Sequence, residues 1–152
     1  MVKSTLPVEV ICLDSDGWDH HESLPTYLQR SLAELADALS AFYQDMGSSM
    51  QHITVLVQTE FGRRVARNAS NGADHGTGGL SCVLGGGVNG GQVAGEWPGL
   101  ATADLEMGED LKITTDLRTV LLELLGKRLG GTDAGAVFPG FSGPASANVF
   151  LS

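Results

Sequence analysis

The side chains of this sequence that could carry out chemistry are acids and bases that lie beside apolar runs. They come in three groups far apart along the chain: Asp19 and His21, then Glu60 and Arg63, then Asp74 and His75. In open α/β sheets, ligands bind beyond the carboxyl ends of strands, so such groups can meet at one edge. Carboxylate oxygens and imidazole nitrogens are donors that Zn²⁺ and similar divalent ions accept. The sequence therefore predicts a divalent metal site, with zinc as one candidate ion, whose ligands are Asp19, His21, Glu60 and His75. In the same hypothesis Arg63, as a clamp for an anionic group, and Asp74 have catalytic roles.

Each group also has an ordinary structural explanation. The acids around Gly17 suit a turn, because Asp side chains bond nearby backbone N–H groups. Glu60 and Arg63 suit an exposed ion pair that contributes little to stability. Asp74 can simply orient the ring of His75 within a loop. Because all three groups occur beside predicted strands, we favour a functional site over three unrelated loops.

Apolar patterning predicts the elements that would position these groups. Short β-branched or apolar runs predict strands at residues 8–13, 53–58 and 80–84. Leucines spaced by three and four predict a helix that ends at Gly47 and a second one that ends at Gly130. This order of elements predicts one α/β domain over residues 1–152, with at least one right-handed parallel crossover. Thr114 or Thr115 is the expected cap of the second helix.

Composition limits the classes of partner. The chain has 152 residues and a net charge of −9, which fits a single domain and argues against a nucleic-acid partner. No apolar stretch approaches the roughly 18 residues of a membrane span, so no membrane partner is expected. The first seven residues lack the apolar region of a signal peptide, which leaves the localisation open. Cys12 and Cys82 lie in apolar runs and are expected to be buried thiols, with a disulfide as the alternative.

Six segments of the chain form a specific set of motifs by their order and spacing. They are residues 17–21 (Gly-Trp-Asp-His-His), 59–64 (Thr-Glu-Phe-Gly-Arg-Arg), 71–76 (Asn-Gly-Ala-Asp-His-Gly), 83–91, 114–118 and 137–141. Together they resemble the motifs of a bacterial family, the domain of unknown function 1501 (DUF1501), and the resemblance covers nearly the whole chain. Members of that family usually carry Thr where His20 stands and often Ser where Thr59 stands, and neither difference removes a predicted ligand.

The resemblance implies a fold and a chemistry. The family is similar to the alkaline-phosphatase and sulfatase superfamily, which implies a three-layer αβα fold with a mostly parallel sheet, present here as a C-terminal portion. Glu60 would stand where that superfamily has a strand-end acid, and His75 would be its later histidine ligand. Asp19 and His21 would correspond to its spaced Asp and His ligands. Glu60 replaces the usual Asp, and the superfamily's Asp-His pair directly after that strand is absent. Members of the family are commonly exported.

Two functions follow as expectations. The first is a metal-dependent hydrolase acting on small anionic substrates, namely phosphate, sulfate or other esters. The second is a non-catalytic, truncated α/β module that self-associates or binds a protein partner. A truncated sheet leaves an open edge and an uncovered apolar face, and both favour association.

Overall fold

A computed structural model describes residues 2–131, 133–144 and 146–151. Its longest element is helix α1 (Leu24–Met46), which a 3₁₀ helix (Gly47–His52) continues. Pro25 occupies the first turn, where its missing N–H has no partner to lose. Gly47 ends the helix with a φ of 50°, a backbone conformation that glycine adopts readily. The predicted first helix and its end at Gly47 are confirmed.

Four short strands form two separate pairs within the described residues. Strand β1 (Thr54–Val57) pairs antiparallel with β4 (Cys82–Gly85), with Val57 opposite Cys82. Strand β2 (Gly62–Arg63) pairs antiparallel with β3 (His75–Gly76). The predicted strands at 53–58 and 80–84 therefore exist, but they belong to a two-stranded sheet.

The second half of the chain carries helix α2 (Leu117–Arg128), a 3₁₀ turn (Thr102–Asp104) and a short helix α3 (Ala134–Val137). The cap of α2 is Asp116, whose side chain accepts the backbone N–H of Arg118, rather than either of the predicted threonines. The last described segment lies against α2. There Glu123 accepts backbone N–H groups of Ala147, Val149 and Phe150.

The predicted fold class is wrong. In the described residues the strands pair only antiparallel and two at a time, so there is no three-layer αβα arrangement with a mostly parallel sheet. A parallel pair needs a crossover connection that is usually a helix. The connection between β1 and β4, residues 58–81, contains only loops and the β2–β3 pair, so the chain reverses direction instead. Helix α1 lies between residues 8–13 and β1, but residues 8–13 form no strand.

Little of the apolar surface is buried. Among the described residues, the buried apolar side chains are Met46, Met50, Ala73, Leu122 and Phe150. Cys12 and Cys82 are exposed free thiols, contrary to the expectation of burial. No helix in the described part of the chain has the length and apolar character needed to cross a membrane.

Candidate functional site

The loop of residues 18–23, which leads into helix α1, runs side by side with the loop of residues 68–75, which is far from it in sequence. The backbone N–H of Ala73 donates to the carbonyl of His20 over 3.1 Å, and Glu22 forms a β-bridge with Asn71. Gly72 lies directly against the backbone of His21, in space that a Cβ would occupy. A glycine at position 72 therefore lets the loop of residues 68–75 approach the loop of residues 18–23.

The β2–β3 pair brings Arg63 and His75 to these two loops. In its register Arg63 lies opposite His75, which places the guanidinium and the imidazole at the same edge as the two loops. Since β2 begins just after Glu60 and β3 begins at His75, two of the three predicted groups are joined by backbone pairing.

Three of the four predicted metal ligands converge. The Nε2 atoms of His21 and His75 are 3.1 Å apart, and each lies near Oδ1 of Asp19, at 3.1 Å and 2.9 Å respectively. Among the described residues this is the one group of three acids, histidines or cysteines that can present donors to a common ion. All three side chains are about half exposed, so the cluster is open to solvent.

Arg63 holds one of these donors in place. Its Nη2 donates to Oδ1 of Asp19 over 2.6 Å and to the carbonyl of Trp18 over 3.1 Å. Its Nη1 donates to the carbonyl of Ala73 over 2.6 Å. A single guanidinium therefore ties β2 to both loops, and its charge lies beside the carboxylate of Asp19.

Asp74 orients a second donor. Its Oδ1 lies 3.2 Å from Nδ1 of His21 and accepts an N–H of Asn68 over 2.9 Å. An ionised carboxylate can only accept hydrogen bonds, so Nδ1 of His21 carries a proton towards Asp74, and the neutral form of the ring with that tautomer has its lone pair on Nε2. A histidine that ligates a metal is commonly fixed in this way by a carboxylate on its other nitrogen.

Asn68 and Phe61 complete the surroundings. Asn68 also donates to the carbonyl of His21 over 2.9 Å, while its Oδ1 accepts the backbone N–H groups of Ser70 and Gly72. The ring of Phe61 stacks on that of His75 with a centroid distance of 3.9 Å. Neither residue was predicted from the sequence to belong to the site. An Asn preceding a turn that contains Asn-Gly was the available signal for Asn68, whereas Phe61 was hidden among the charged residues of its motif.

The electrostatics favour anionic acids at this site. Hydrogen bonds from His75 and then Arg63 lower the pKa of Asp19 to about 2. Hydrogen bonds from Asn68 and then His21 lower the pKa of Asp74. The carboxylate of Asp19 is therefore ionised, and able to bind a cation, throughout the neutral and mildly acidic range. Asp74 is an ionised hydrogen-bond acceptor for His21 at neutral pH.

Two nearby residues of the predicted groups are not part of the cluster. Glu60 is exposed, and its carboxylate does not lie with the three converging donors. His20 is buried and stacks on Tyr27, with a centroid distance of 5.8 Å, while its neighbours in sequence face the cluster. The alternation of side-chain direction along residues 19–21 therefore separates His20 from Asp19 and His21.

The three donors fit one divalent ion. At about 2.1 Å from one ion, two bound atoms lie about 3.4 Å apart at the tetrahedral angle and about 3.0 Å apart at the right angle of octahedral coordination. The separations of 2.9 Å, 3.1 Å and 3.1 Å are close to the octahedral value. Three protein ligands also leave coordination positions for water or substrate, as in catalytic rather than structural zinc sites.

Comparison with known proteins identifies the family. The family described as a protein of unknown function (DUF1501) matches residues 6–140, and the chain belongs to this family. No curated protein and no solved structure matches the chain.

Proposed function

We propose that this DUF1501 protein binds a divalent metal ion through Asp19, His21 and His75, and that this site catalyses ester hydrolysis. The observation that carries the proposal is the contact between Oδ1 of Asp19 and Nε2 of His21, at 3.1 Å. When His21 is neutral with its proton on Nδ1 beside Asp74, the lone pair of Nε2 faces a lone pair on Oδ1 of Asp19 across that distance. Two facing lone pairs repel unless a proton or a cation lies between them, and a metal ion satisfies all three donors at once.

The surrounding residues have supporting roles in this proposal. Arg63 positions Asp19, because its N–H groups are directed at Asp19 and at two backbone carbonyls of the loops. This arrangement favours a positioning role over the role of a substrate clamp. Asp74 orients His21 as a ligand. Glu60 is exposed at the rim and is not needed to hold the ion.

The substrate class rests on the resemblance of the motifs to the alkaline-phosphatase and sulfatase superfamily. When bound, a divalent ion polarises an ester oxygen and lowers the pKa of a water molecule, which suits hydrolysis of phosphate and sulfate esters. The half-exposed donors leave the centre accessible to a small anionic substrate. The chain's own contribution is to hold three donors and the charge of Arg63 at fixed positions.

The test combines metal binding with turnover. Zn²⁺ or Mn²⁺ is titrated into the chelator-treated protein by calorimetry, and hydrolysis of nitrophenyl phosphate and nitrophenyl sulfate is then followed with and without chelator. We expect one ion per chain and turnover that the chelator abolishes. The variants His21→Ala and His75→Ala should lose both properties, whereas Glu60→Gln is the matched control and should keep both.

The two parts of the proposal can fail separately. Metal binding without turnover of either ester would retain the metal site and reject the hydrolase. Equal metal binding by wild type and His75→Ala would reject the site itself. A loss of binding in Glu60→Gln would show that the ion is held by a different set of donors.

A further inference from the structure

The segment of residues 8–13 exposes apolar side chains that its sequence suits to a buried strand. Val10 is 65% exposed and Leu13 is 89% exposed, and Val8 and Ile11 are exposed as well. Five of the six residues of this segment are apolar, and Glu9 is its one charged residue. Contiguous exposed apolar surface of this kind marks an interaction site in a soluble protein.

The backbone of the same segment lacks partners. Among the described residues, no backbone N–H or carbonyl of residues 9–13 takes part in a hydrogen bond with another protein group. A row of unpaired backbone groups is a template for pairing with another strand. One added strand would satisfy these groups and cover the apolar side chains at the same time.

The whole chain exposes more surface than a typical folded monomer of its mass. A folded monomer of this mass exposes about 7,400 Å², whereas this chain of 15.9 kDa exposes 10548 Å². The excess is roughly 3,000 Å² per chain, and obligate homodimers bury from about 2,000 to more than 5,000 Å² in total. Two copies together therefore carry enough excess exposed surface for a stable dimer, and residues 8–13 supply one part of that surface.

We propose that residues 8–13 pair antiparallel with the same residues of a second copy across a twofold axis. In a symmetric antiparallel pair the axis passes beside one residue, which faces its own copy. An axis at Val10 places Glu9 opposite Ile11, and an axis at Ile11 places Glu9 opposite Leu13. Either register keeps the two Glu9 carboxylates from facing each other, so the one charge of the segment does not oppose self-pairing.

The net charge of −9 makes the dimer dependent on salt. Two chains of like charge repel each other at long range, and added salt screens this repulsion. Pairing through an apolar strand has no attractive ion pair that salt would weaken. The dimer is therefore tighter at higher ionic strength.

The test is sedimentation equilibrium of the whole chain over a concentration series, with chelator present so that metal binding plays no part. We expect a monomer–dimer equilibrium for wild type and at least about tenfold weaker dimerisation for Val10→Lys, since lysine protects edge strands from pairing. Val93→Lys is the matched control, because Val93 is 88% exposed outside the segment, and it should dimerise like wild type.

Far-UV circular dichroism checks that the helical signal is retained in Val10→Lys, and hydrogen exchange follows the backbone directly. Amides of residues 9–13 should be protected in wild type at high concentration and unprotected in Val10→Lys. A wild-type monomer at every concentration, or a Val10→Lys variant that dimerises as tightly as wild type, would overturn the proposal. Protection of the amides of residues 9–13 in a monomer would also overturn the proposal, because it would show that the segment pairs with another strand of its own chain.

Discussion

Asp74 supports the candidate site without being one of its converging donors. Its Oδ1 receives hydrogen bonds from His21 and Asn68, and the proton on Nδ1 of His21 leaves Nε2 free. The sequence placed Asp74 beside His75 and predicted a catalytic role for it. The structure shows it in contact with His21, which lies 53 positions earlier in the chain, and its catalytic role stays a prediction.

Replacement of this carboxylate tests its role as an orienting group. We expect Asp74→Ala to weaken Zn²⁺ binding by about 10- to 100-fold, the usual effect of losing the partner of a metal-ligating histidine. Asp16→Ala, which removes another acid near the same loop, is the control and should bind like wild type. Calorimetric titration measures both. An unchanged affinity in Asp74→Ala would show that His21 is oriented by other contacts.

For individual residues, the sequence indicated which side chains could bind a metal ion better than it indicated which of them lie in contact. Acids and histidines near strand ends were sufficient to identify Asp19, His21 and His75 as candidates, because few other side chains bind divalent ions. The separation of His20 and Glu60 from the cluster depends on the direction of individual side chains. That direction follows from packing against Tyr27 and from exposure at the rim, which spacing along the chain does not determine.

The pairing of the two loops depends on Gly72, whose position leaves no space for a side chain. A Cβ at Gly72 would overlap the carbonyl group of His21, so the loops would have to separate. We expect Gly72→Ala to lower the free energy of unfolding and to weaken Zn²⁺ binding together. Gly90→Ala is the control, because a Cβ there meets nothing within 4 Å. Chemical denaturation and calorimetry give both quantities, and equal behaviour of the two variants would contradict this role.

Glu123 connects helix α2 to the last described segment. Burial raises the pKa of this carboxyl, but N–H donors from Phe150, Ala147 and Val149 outweigh burial, so the pKa lies below its ordinary value of 4.5. The stabilisation is therefore fully present above about pH 4.5 and is lost as the pH falls through the lower pKa of the folded state.

Glu123→Gln tests this connection. The variant should lose about 1–3 kcal/mol of unfolding free energy at neutral pH, because an amide cannot accept all three donors. It should also lose part of the dependence of stability on pH in the acidic range. Glu96→Gln, at an exposed position, is the control. Denaturant titrations across the pH range would contradict the account if both variants followed the same curve.

The two long helices were predicted correctly from the sequence, whereas the pairing of the strands was not. Both long helices followed from leucine spacing, which is a local signal, although the buried residues of α2 are Thr119, Leu122 and Glu123 rather than a stripe of leucines. Strand pairing is not local, so two correct strands were assigned to the wrong kind of sheet. Residues 8–13 have the composition of a strand but no strand partner in the part of the chain that the structure describes, and composition cannot supply one.

On the scale of the whole molecule, the candidate site joins the first loop to β3, segments that backbone hydrogen bonds and Arg63 also hold together. The buried core is small, and the ligands come from residues 19–21 and residue 75. An ion bound there would act as a cross-link between the first loop and β3. Ligand binding to the folded state alone stabilises it by about 2.7 kcal/mol when the free ligand is at 100 times its Kd.

We therefore expect saturating Zn²⁺ to raise the melting temperature by roughly 5–10 °C for a chain of this size. The increase should disappear in His75→Ala and persist in Glu60→Gln. Differential scanning calorimetry with and without the ion measures it. An increase of the same size in His75→Ala would place the stabilising ion elsewhere in the molecule.

The most direct test of the metal centre is the anomalous scattering of crystals grown with Zn²⁺, measured at the zinc absorption edge. The account predicts one strong peak about 2.0–2.2 Å from Oδ1 of Asp19 and from Nε2 of His21 and His75, with Glu60 remote from it. A peak bound by other residues, or no peak between these three donors, would contradict it.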